Sequence, residues 1–407
     1  MFYDRINLLE RGISMKIMSI NAGSSSLKFS LFEMDTKEVL VSGLFERIGI
    51  EGSMYTIKYQ DFKIKEEAEL KDHADAVKIL LEKLIELKII DSLEEIDGIG
   101  HRIVHGGANY TESVMVTNKV AEDILKLSDL APLHNPAHYL GIKAFQEVLP
   151  KTPMVVVFDT AFHQTMDKEN YLYALPYEWY EKHAVRKYGF HGTSHRYIAK
   201  KISEELKRDD LKIISCHLGN GGSVTAIKDG KCINTSMGFT PLAGIMMGTR
   251  AGDVDCSVIP YVMEKEGKSA GEILSDFNKK SGFLGISQFS SDSRDIEDGC
   301  KEGKENCILA QEMFVRSVVK YIAQYYVELG GADVICFTAG IGENSIDTRR
   351  DIVERLKVLG IKLDLEANNV RGKLTKISDK DSSSLVYVVP TNEELMIALD
   401  TLEIVNR

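Results

Sequence analysis

The sequence lacks the cysteine spacing, the apolar runs and the positive charge that mark three large classes of protein. Its six cysteines include no C-x-x-C pair, which is typical of a chain kept in a reducing cytosol. No apolar run approaches the length of a membrane span. The formal net charge of −11 argues against a nucleic-acid-binding surface. We therefore expect a cytoplasmic protein that has neither nucleic acid nor membrane as a partner.

Two common catalytic signatures are also missing. The ten histidines include no H-E-x-x-H pair, and the prolines at 132 and 136 disfavour a helical metal site built from His134 and His138. A P-loop is excluded because Leu27 and Phe29 stand where its second glycine and its Ser/Thr would be. Neither a zinc enzyme nor a P-loop NTPase is expected.

The first 14 residues do not form a signal peptide. They lack a continuous apolar region and carry Asp4, Arg5, Glu10 and Arg11. Met15 stands directly before the first predicted strand. We expect either that Met15 is the native start or that residues 1–14 are a loose extension.

A predicted β-hairpin at residues 16–32 is the first candidate site. Residues 17–20 are apolar, and apolar and polar residues alternate again from Leu27 onward, which is strand periodicity. The turn between them contains Gly23 and a row of serines, and Lys28 follows it. Hydroxyls, backbone N–H groups and one cation suit a phosphate-like ligand, although glycine and serine are also ordinary turn residues.

The same pattern returns about 200 residues later. Residues 212–218 form an apolar strand, residues 219–223 a glycine turn with Asn220, and residues 224–228 a second strand. Two such hairpins predict a duplicated domain with a phosphate site between its halves. Together with a third glycine loop at residues 340–344, they favour a nucleotide site.

Acids and arginines stand at strand ends and sharp turns. Asp159 ends an apolar strand at residues 154–158, and Glu393 follows another at residues 385–389. Mg²⁺ needs one or two carboxylates together with phosphates and water. Arg102, Arg250 and Arg294 lie in glycine-rich or turning contexts, which suits bidentate capture of an anionic substrate.

Seven motifs together resemble the acetokinase family over the chain from Met15 to its end. They are Asn21-Ala22-Gly23-Ser24-Ser25-Ser26-Leu27-Lys28, His101-Arg102-Ile103-Val104-His105-Gly106-Gly107, Phe158-Asp159-Thr160-Ala161-Phe162-His163, Tyr188-Gly189-Phe190-His191-Gly192-Thr193-Ser194-His195, His217-Leu218-Gly219-Asn220-Gly221, Gly248-Thr249-Arg250 and Gly340-Ile341-Gly342-Glu343-Asn344.

The resemblance implies an α/β fold of two duplicated actin-like (ribonuclease-H-like) domains with a nucleotide cleft between them. We expect residues 15–160 and 395–407 to form the N-terminal domain and residues 161–394 to form the C-terminal domain, which carries most of the nucleotide site. The implied reaction is reversible phosphoryl transfer from ATP to acetate, giving acetyl phosphate and ADP. The implied cofactor is Mg²⁺, for which Mn²⁺ can substitute, and the implied assembly is a homodimer.

Site residues carry over by position from the family motifs. The implied catalytic residues are Arg102, Asp159, His191 and Arg250. Acetate would contact Arg102, Val104, Leu133, Phe190 and Pro241. The nucleotide would contact Ser24, Ser26, Lys28, His217, Leu218, Gly219, Asn220, Gly221, Asp292, Ser293, Arg294, Gly340, Ile341, Gly342, Glu343 and Asn344. The metal would be held by Asn21 and Glu393.

Charge chemistry is consistent with these roles. Cations must neutralise both acetate and the γ-phosphoryl group before the two anions can meet, and phosphoryl transfer depends mostly on positioning and charge stabilisation. Acetate is already ionised at pH 7, so it offers no proton to a general base. Asp159 is therefore expected to position a group or to act with the metal rather than to act as a base.

Two rival functions remain open from the sequence. A propionate or butyrate kinase would differ by one or two methylenes, and each changes discrimination by only about 1–3 kcal/mol. An actin- or chaperone-like ATPase is the more remote rival, because clustered arginines favour a small anionic substrate. The preference for acetate or propionate, the physiological direction, the dimer surface and the extent of domain closure are not set by these patterns.

Overall fold

The computed structural model describes residues 14–132 and 134–407. The chain forms two compact units. Unit 1 contains the described residues up to Ala161 together with Asn392–Arg407, and unit 2 is Phe162–Thr391. Sequence analysis had placed Glu393 and Glu394 in the second domain, whereas the structure places both in unit 1. No helix in the described part of the chain is long and apolar enough to cross a membrane.

Unit 1 contains an eight-stranded mixed sheet with the order β5-β4-β3-β2-β1-β6-β8-β7. Its strands are β1 (Lys16–Gly23), β2 (Ser26–Glu33), β3 (Glu38–Glu46), β4 (Met54–Tyr59), β5 (Phe62–Glu67), β6 (Ile96–Ile103), β7 (Val114–Met115) and β8 (Met154–Phe158). Strands β1 to β5 pair antiparallel, whereas β6 pairs parallel with β1 and with β8.

The predicted hairpin is formed by β1 and β2. Asn21 lies opposite Lys28 in its register. Leu27, Phe29 and Leu31 are fully buried, as their alternation predicts, because they enter the hydrophobic core of unit 1. The turn is therefore held in place by the packing of the strand that follows it.

Four α-helices lie in the part of unit 1 that the structure describes. They are α1 (His73–Glu86), α2 (Asn118–Lys126), α3 (Asn135–Val148) and the C-terminal helix (Glu393–Val405). The C-terminal helix buries Ile397 against Val155 and Val157 of β8. It fits closely on β6, since a side chain at Gly100 would lie 2.5 Å from Ile397 Cγ2. The end of the chain is thus an integral layer of unit 1.

Unit 2 contains a six-stranded mixed sheet with the order β11-β10-β9-β12-β14-β13. Its strands are β9 (Lys212–Leu218), β10 (Gly222–Lys228), β11 (Lys231–Thr235), β12 (Val334–Thr338), β13 (Thr375–Lys376) and β14 (Leu385–Val388). Its helices are α4 (Lys168–Tyr171), α5 (Tyr177–His183), α6 (Gly192–Leu206), α7 (Val258–Glu266), α8 (Ala270–Lys279), α9 (Gly282–Ser287), α10 (Ser293–Lys301), α11 (Glu305–Glu328), α12 (Ala339–Asn344) and α13 (Ile346–Arg355).

The two sheets repeat one topology. In unit 1 the strands β3-β2-β1 are antiparallel neighbours and β1-β6-β8 are parallel neighbours. In unit 2 the strands β11-β10-β9 and β9-β12-β14 repeat that order and those directions. The predicted duplicated α/β fold is confirmed by this match. It also makes the β1–β2 turn and the β9–β10 turn equivalent positions.

One predicted loop is a helix. Residues 340–344 were expected to form a glycine loop, but they belong to α12, which follows β12 directly. Ala339 makes the change of direction with a positive φ of 62°. Glu343 then accepts from the backbone N–H of Ala339 at 2.8 Å and closes the first turn.

Candidate active site

In unit 1, Arg102 and Asp159 form a two-point ion pair. Arg102 Nε lies 3.1 Å from Asp159 Oδ1, and its Nη2 lies 2.5 Å from Oδ2. Arg102 Nη1 also donates to Asn21 Oδ1 at 3.3 Å. The Asp159 side chain is 1% exposed, so this pair is largely withdrawn from water. The guanidinium of Arg102 thereby joins side chains at the ends of three strands.

Glu393 brings a further carboxylate to this group. It lies in the first turn of the C-terminal helix, whose N-cap Asn392 accepts from the Leu395 N–H at 2.9 Å. Burial raises the pKa of Glu393 to about 7; the Arg102 cation opposes this rise, and the Asp159 carboxylate adds to it. Burial alone would lower the pKa of Arg102, but the same carboxylates raise it above its ordinary value. Burial is therefore the main reason that Glu393 holds its proton at a higher pH than an exposed glutamate.

Lys28 forms an ion pair with Glu394, the neighbour of Glu393. The Lys28 side chain is 52% exposed, and Ser24 lies exposed in the turn before it. The hairpin groups predicted for phosphate binding are thus at the surface of unit 1, where a ligand can reach them.

The donor set of unit 1 fits Mg²⁺. Asn21 offers an amide oxygen and Glu393 a carboxylate, which are the hard oxygen ligands that Mg²⁺ prefers. Burial is the main cause of the raised pKa of Glu393, and Asp159 and Glu394 add to it, so a nearby divalent cation would favour its ionised form. Across residues 14–132 and 134–407, no three His, Cys, Asp or Glu side chains are grouped as a metal site. Phosphate oxygens and water would therefore have to complete the coordination.

The residues expected to line the acetate pocket are divided between the units. Val104 in unit 1 is buried, and its N–H donates to His138 Nδ1 at 3.3 Å. Leu133 lies outside the described residues. In unit 2, the Phe190 carbonyl accepts from His163 Nε2 at 2.8 Å, and the Pro241 carbonyl accepts from Arg250 Nη1 at 3.4 Å.

In unit 2, His191 and Arg250 meet at Gly221. A Cβ at Gly221 would lie 3.3 Å from Arg250 Nη1 and 3.8 Å from His191 Nε2. Arg250 has no carboxylate partner in the described part of the chain; its Nη1 reaches only the Pro241 carbonyl and Met247 Sδ. Burial lowers the pKa of Arg250, which indicates that its charge is not compensated. This anion cluster (His191, Gly221 and Arg250) is suited to phosphoryl oxygens.

His217 packs against His191 of the anion cluster. Its ring stacks on that of His191 with 4.2 Å between centroids, and its Nδ1 lies 2.8 Å from Ser194 Oγ. Leu218 is fully buried in the core of unit 2, so its side chain cannot contact a ligand. The predicted contribution of Leu218 to nucleotide binding can come only from its backbone.

A cavity of about 650 Å³ lies beside the anion cluster in unit 2. Of the predicted nucleotide residues, it is lined by Gly219, Asn220, Asp292, Ser293, Arg294, Gly340, Ile341 and Asn344. Arg294 is held by a two-point ion pair with Asp292, at 3.0 Å from Nε to Oδ1 and 2.5 Å from Nη2 to Oδ2. Sequence analysis therefore found most of the walls of this cavity.

Two predicted residues serve the cavity indirectly. Gly342 is buried, and Glu343 turns away to accept from the N–H groups of Ala339 and Thr391, at 2.8 and 3.0 Å. The cavity also has walls that sequence analysis missed, because two of them border a named motif without belonging to it and the other three are distant from any motif. These residues are Phe283, Ser291, Glu297, Ser345 and Arg371.

A buried arginine fixes one wall of the cavity. Arg349 is fully buried and donates to the Gly342 carbonyl at 3.0 Å, the Asn368 carbonyl at 2.9 Å and the Val370 carbonyl at 2.8 Å. Burial lowers its pKa to about 10, so it remains charged at neutral pH. It ties α12 to the segment that carries Arg371.

These features define a class of protein before any relative is considered. A duplicated mixed sheet, an arginine beside a histidine with no carboxylate partner among the described residues, and a polar cavity next to them are the features expected of a small-molecule kinase.

Comparison with known proteins narrows this class. The acetokinase family model matches residues 16–399. Acetate kinase from Bacillus subtilis (strain 168) is 55% identical over 391 residues, which cover 96% of this chain and 99% of that protein. The crystal structure of Porphyromonas gingivalis acetate kinase has a TM-score of 0.93 at 45% identity, covering 96% of this chain and all of that one. A propionate kinase from Francisella tularensis has a TM-score of 0.91 at 42% identity, covering 96% and 99%. This chain belongs to the acetokinase family.

Proposed function

We propose that this chain catalyses reversible transfer of the γ-phosphoryl group of ATP to acetate. A carboxylate oxygen of acetate attacks the γ-phosphorus in line. The bond from that phosphorus to the bridging oxygen of ADP breaks, giving acetyl phosphate and ADP. No proton moves, because acetate is already an anion and ADP leaves as one.

The anion cluster of unit 2 is the observation that carries this proposal. Arg250 has no carboxylate partner among the described residues. Arg250 and His191 both lie next to Gly221, which has no side chain to fill the space between them and a ligand. Such a cluster offers N–H donors to the equatorial oxygens of a phosphoryl group, where charge must be stabilised during transfer. The adjoining 650 Å³ cavity has room for the nucleoside part of ATP.

Unit 1 supplies the groups that we assign to acetate and to the metal. Arg102 has more donors than Asp159 and Asn21 use, so a guanidinium N–H remains for a substrate carboxylate. Asp159 holds that guanidinium in place, which is a positioning role rather than that of a base. Val104 in unit 1, and Phe190 and Pro241 in unit 2, are assigned to the methyl group.

Asn21 and Glu393 would hold Mg²⁺, with Mn²⁺ as a substitute. When bound, the metal would offset phosphate charge. We assign the nucleotide phosphates to Lys28, Ser24 and Ser26. The remaining nucleotide contacts belong to the lining of the unit 2 cavity.

A propionate kinase is the second candidate. The Francisella tularensis propionate kinase is nearly as similar in structure to this chain as the Porphyromonas gingivalis acetate kinase is. One methylene in an apolar pocket changes selectivity by only about 1–3 kcal/mol. We therefore expect measurable activity on propionate beside acetate.

An assay of acyl phosphate formation tests both candidates. The protein is incubated with ATP, MgCl₂ and acetate, propionate or butyrate, and the acyl phosphate is trapped with hydroxylamine while ADP is measured. We expect the highest kcat/KM with acetate. ADP formation without acyl phosphate would overturn the kinase proposal. A higher kcat/KM for propionate than for acetate would show that the protein is a propionate kinase.

We further propose that the protein acts in the cytoplasm as a homodimer. All six cysteines lie in the described residues and all are free thiols, which suits a reducing compartment. Light scattering of the purified protein measures the assembly, and a mass of one chain would exclude the dimer.

A further inference from the structure

A line of hydrogen bonds leads from His191 into the core of unit 2. His191 Nδ1 lies 3.0 Å from Ser223 Oγ, which lies 2.7 Å from His195 Nε2. His195 Nδ1 then lies 2.9 Å from Ser215 Oγ. We call these four residues the serine–histidine chain. Sequence analysis gave no function to Ser215, Ser223 or His195.

The protons of this chain must be arranged in one of two directions. His195 is fully buried, and burial lowers its pKa well below its ordinary value, so the ring is neutral at pH 7. A neutral imidazole donates from one nitrogen and accepts at the other. Each serine has one hydroxyl proton to donate. Fixing one end of the chain therefore fixes every proton along it.

Ser215 fixes the direction. It lies on β9, is fully buried, and within the described residues its hydroxyl meets no hydrogen-bond partner except His195 Nδ1. If Ser215 accepted from His195, its own proton would be buried without an acceptor, which is unfavourable. Ser215 therefore donates to His195 Nδ1. It follows that His195 Nε2 donates to Ser223, and Ser223 donates to His191 Nδ1.

The chain thus determines which nitrogen of His191 carries the proton. Because Nδ1 accepts from Ser223, the proton lies on Nε2, which together with Cε1 forms the ring edge nearest Gly221, where Arg250 Nη1 also lies. An Nε2–H group at that position is a hydrogen-bond donor to a phosphoryl oxygen, whereas the other tautomer would present a lone pair. We propose that Ser223, oriented by His195 and Ser215, is a positioning residue that keeps the proton of His191 on Nε2. This inference rests on the proposed function for its catalytic meaning and on geometry for the tautomer.

Nuclear magnetic resonance of histidine labelled with ¹⁵N tests the tautomer without any turnover. Long-range ¹H–¹⁵N spectra of the full-length, ligand-free protein distinguish the two neutral forms and the doubly protonated form, and His191→Gln identifies the signals of His191. We expect the Nε2–H form in the wild type and a loss of that single form in Ser223→Ala. A wild-type His191 that carries its proton on Nδ1, or on both nitrogens at pH 7.5, would overturn the proposal even if the enzyme were an active kinase.

Kinetics test the consequence for phosphoryl transfer. We expect Ser223→Ala to lower kcat by about 10- to 100-fold with little change in KM, the range known for groups that orient metal-binding imidazoles. Ser215→Ala, two hydrogen bonds away from His191, should lower kcat in the same sense by a smaller factor. Ser223→Thr keeps the hydroxyl and should retain more activity than Ser223→Ala.

Thr225→Val is the matched control. Thr225 lies on the same strand as Ser223, is equally buried, and bonds instead to Thr235 Oγ1 at 2.8 Å. We expect its kcat to equal that of the wild type. An equal loss in Ser223→Ala and Thr225→Val would show that any lost β10 hydroxyl disturbs the protein, and it would refute a specific role for Ser223. Unchanged kcat in both Ser223→Ala and Ser215→Ala would refute it as well.

Discussion

Arg102 donates hydrogen bonds to both carboxylate oxygens of Asp159, at 3.1 Å from Nε to Oδ1 and 2.5 Å from Nη2 to Oδ2. The guanidinium expected to bind the substrate carboxylate is therefore already oriented by a protein carboxylate. Asp159 is 1% exposed, so it depends on Arg102 as much as it orients it. Either residue alone would be a poorly positioned or poorly solvated charge.

Loss of Arg102 should lower both the free energy of unfolding and the activity, and a second substitution at Asp159 should restore only the free energy of unfolding. Arg102→Ala leaves a buried carboxylate without its cation, and such a change costs about 3–5 kcal/mol of folding free energy. The double variant Arg102→Leu/Asp159→Leu should recover most of that loss in urea denaturation while remaining inactive. A double variant as unstable as Arg102→Ala would show that the ion pair does not account for the loss.

Arg102→Lys tests the two-point geometry alone. Lysine keeps the charge but lacks the planar fork that engages Asp159 and a second anion together. We expect kcat/KM for acetate to fall at least 10-fold, with a smaller change in KM for ATP. The exposed Arg208, which pairs with Asp210, gives the control: Arg208→Lys should leave kcat/KM unchanged.

The raised pKa of Glu393 predicts a specific pH dependence. Folding raises this pKa from 4.5 to about 7, so the folded state binds the proton more tightly and stability falls as pH rises through this interval. Glu393→Gln should remove that fall. The difference in stability between the variant and the wild type should therefore grow in favour of the variant from pH 5 to pH 8.

Magnesium should compete with this proton. Thermal unfolding of the wild type with MgCl₂ and ADP should show a larger rise in Tm at pH 8 than at pH 6, and Glu393→Gln should show little rise at either pH. Glu403 lies on the same helix as Glu393, and its exposed carboxylate pairs with Arg407. The variant Glu403→Gln should therefore behave as the wild type. If Mg²⁺ raised the Tm of Glu393→Gln as much as that of the wild type, Glu393 would be excluded as a metal ligand.

A methyl group at Gly221 should occupy the place of a phosphoryl oxygen. The added Cβ of Gly221→Ala would lie 3.3 Å from Arg250 Nη1 and 3.8 Å from His191 Nε2. We expect kcat to fall at least 10-fold, since the methyl group would keep the phosphoryl oxygens away from these donors, and losing one such donor costs about 100-fold or more. Gly271→Ala, whose Cβ would meet only Ser269 Oγ at 4.0 Å, should be silent. An active Gly221→Ala enzyme would place the phosphoryl group elsewhere.

Lys28→Ala should separate binding from stability. Its ion pair with Glu394 is exposed, and such pairs contribute about 0–1 kcal/mol. We expect unfolding by urea to be nearly unchanged, whereas KM for ATP should rise. That rise should shrink at high salt, because the charge acts in solvent. An unchanged KM at low salt would remove Lys28 from the nucleotide site.

Local periodicity was sufficient to predict the strands that carry the site. The hairpin of Asn21 and Lys28 and the strand before Asp159 follow directly from alternating or fully apolar runs. The helix at residues 339–344 could not be predicted, because its glycines also favour a loop and a cap from Glu343 decides between the two. Tertiary context overrode local propensity at that point.

The serine–histidine chain was beyond prediction for a different reason. Ser223 and His195 lie in segments that the motifs mark, but nothing in the sequence pairs them with each other or with Ser215. That pairing arises only when β9, β10 and α6 bring them within hydrogen-bond distance. The same holds for Arg371 and Phe283 in the nucleotide cavity. The family motifs identified the residues expected to touch substrate, and the fold was needed to find those that hold them.

The C-terminal helix makes the order of synthesis matter. Unit 2 is continuous in sequence and is synthesised before Asn392, whereas unit 1 needs the C-terminal helix to cover β6 and β8. During translation the part made first is thus completed last. A released chain ending at Thr391 would contain all of unit 2 but would leave β6 and β8 of unit 1 uncovered, so removing the C-terminal helix would destabilise the N-terminal half of the protein.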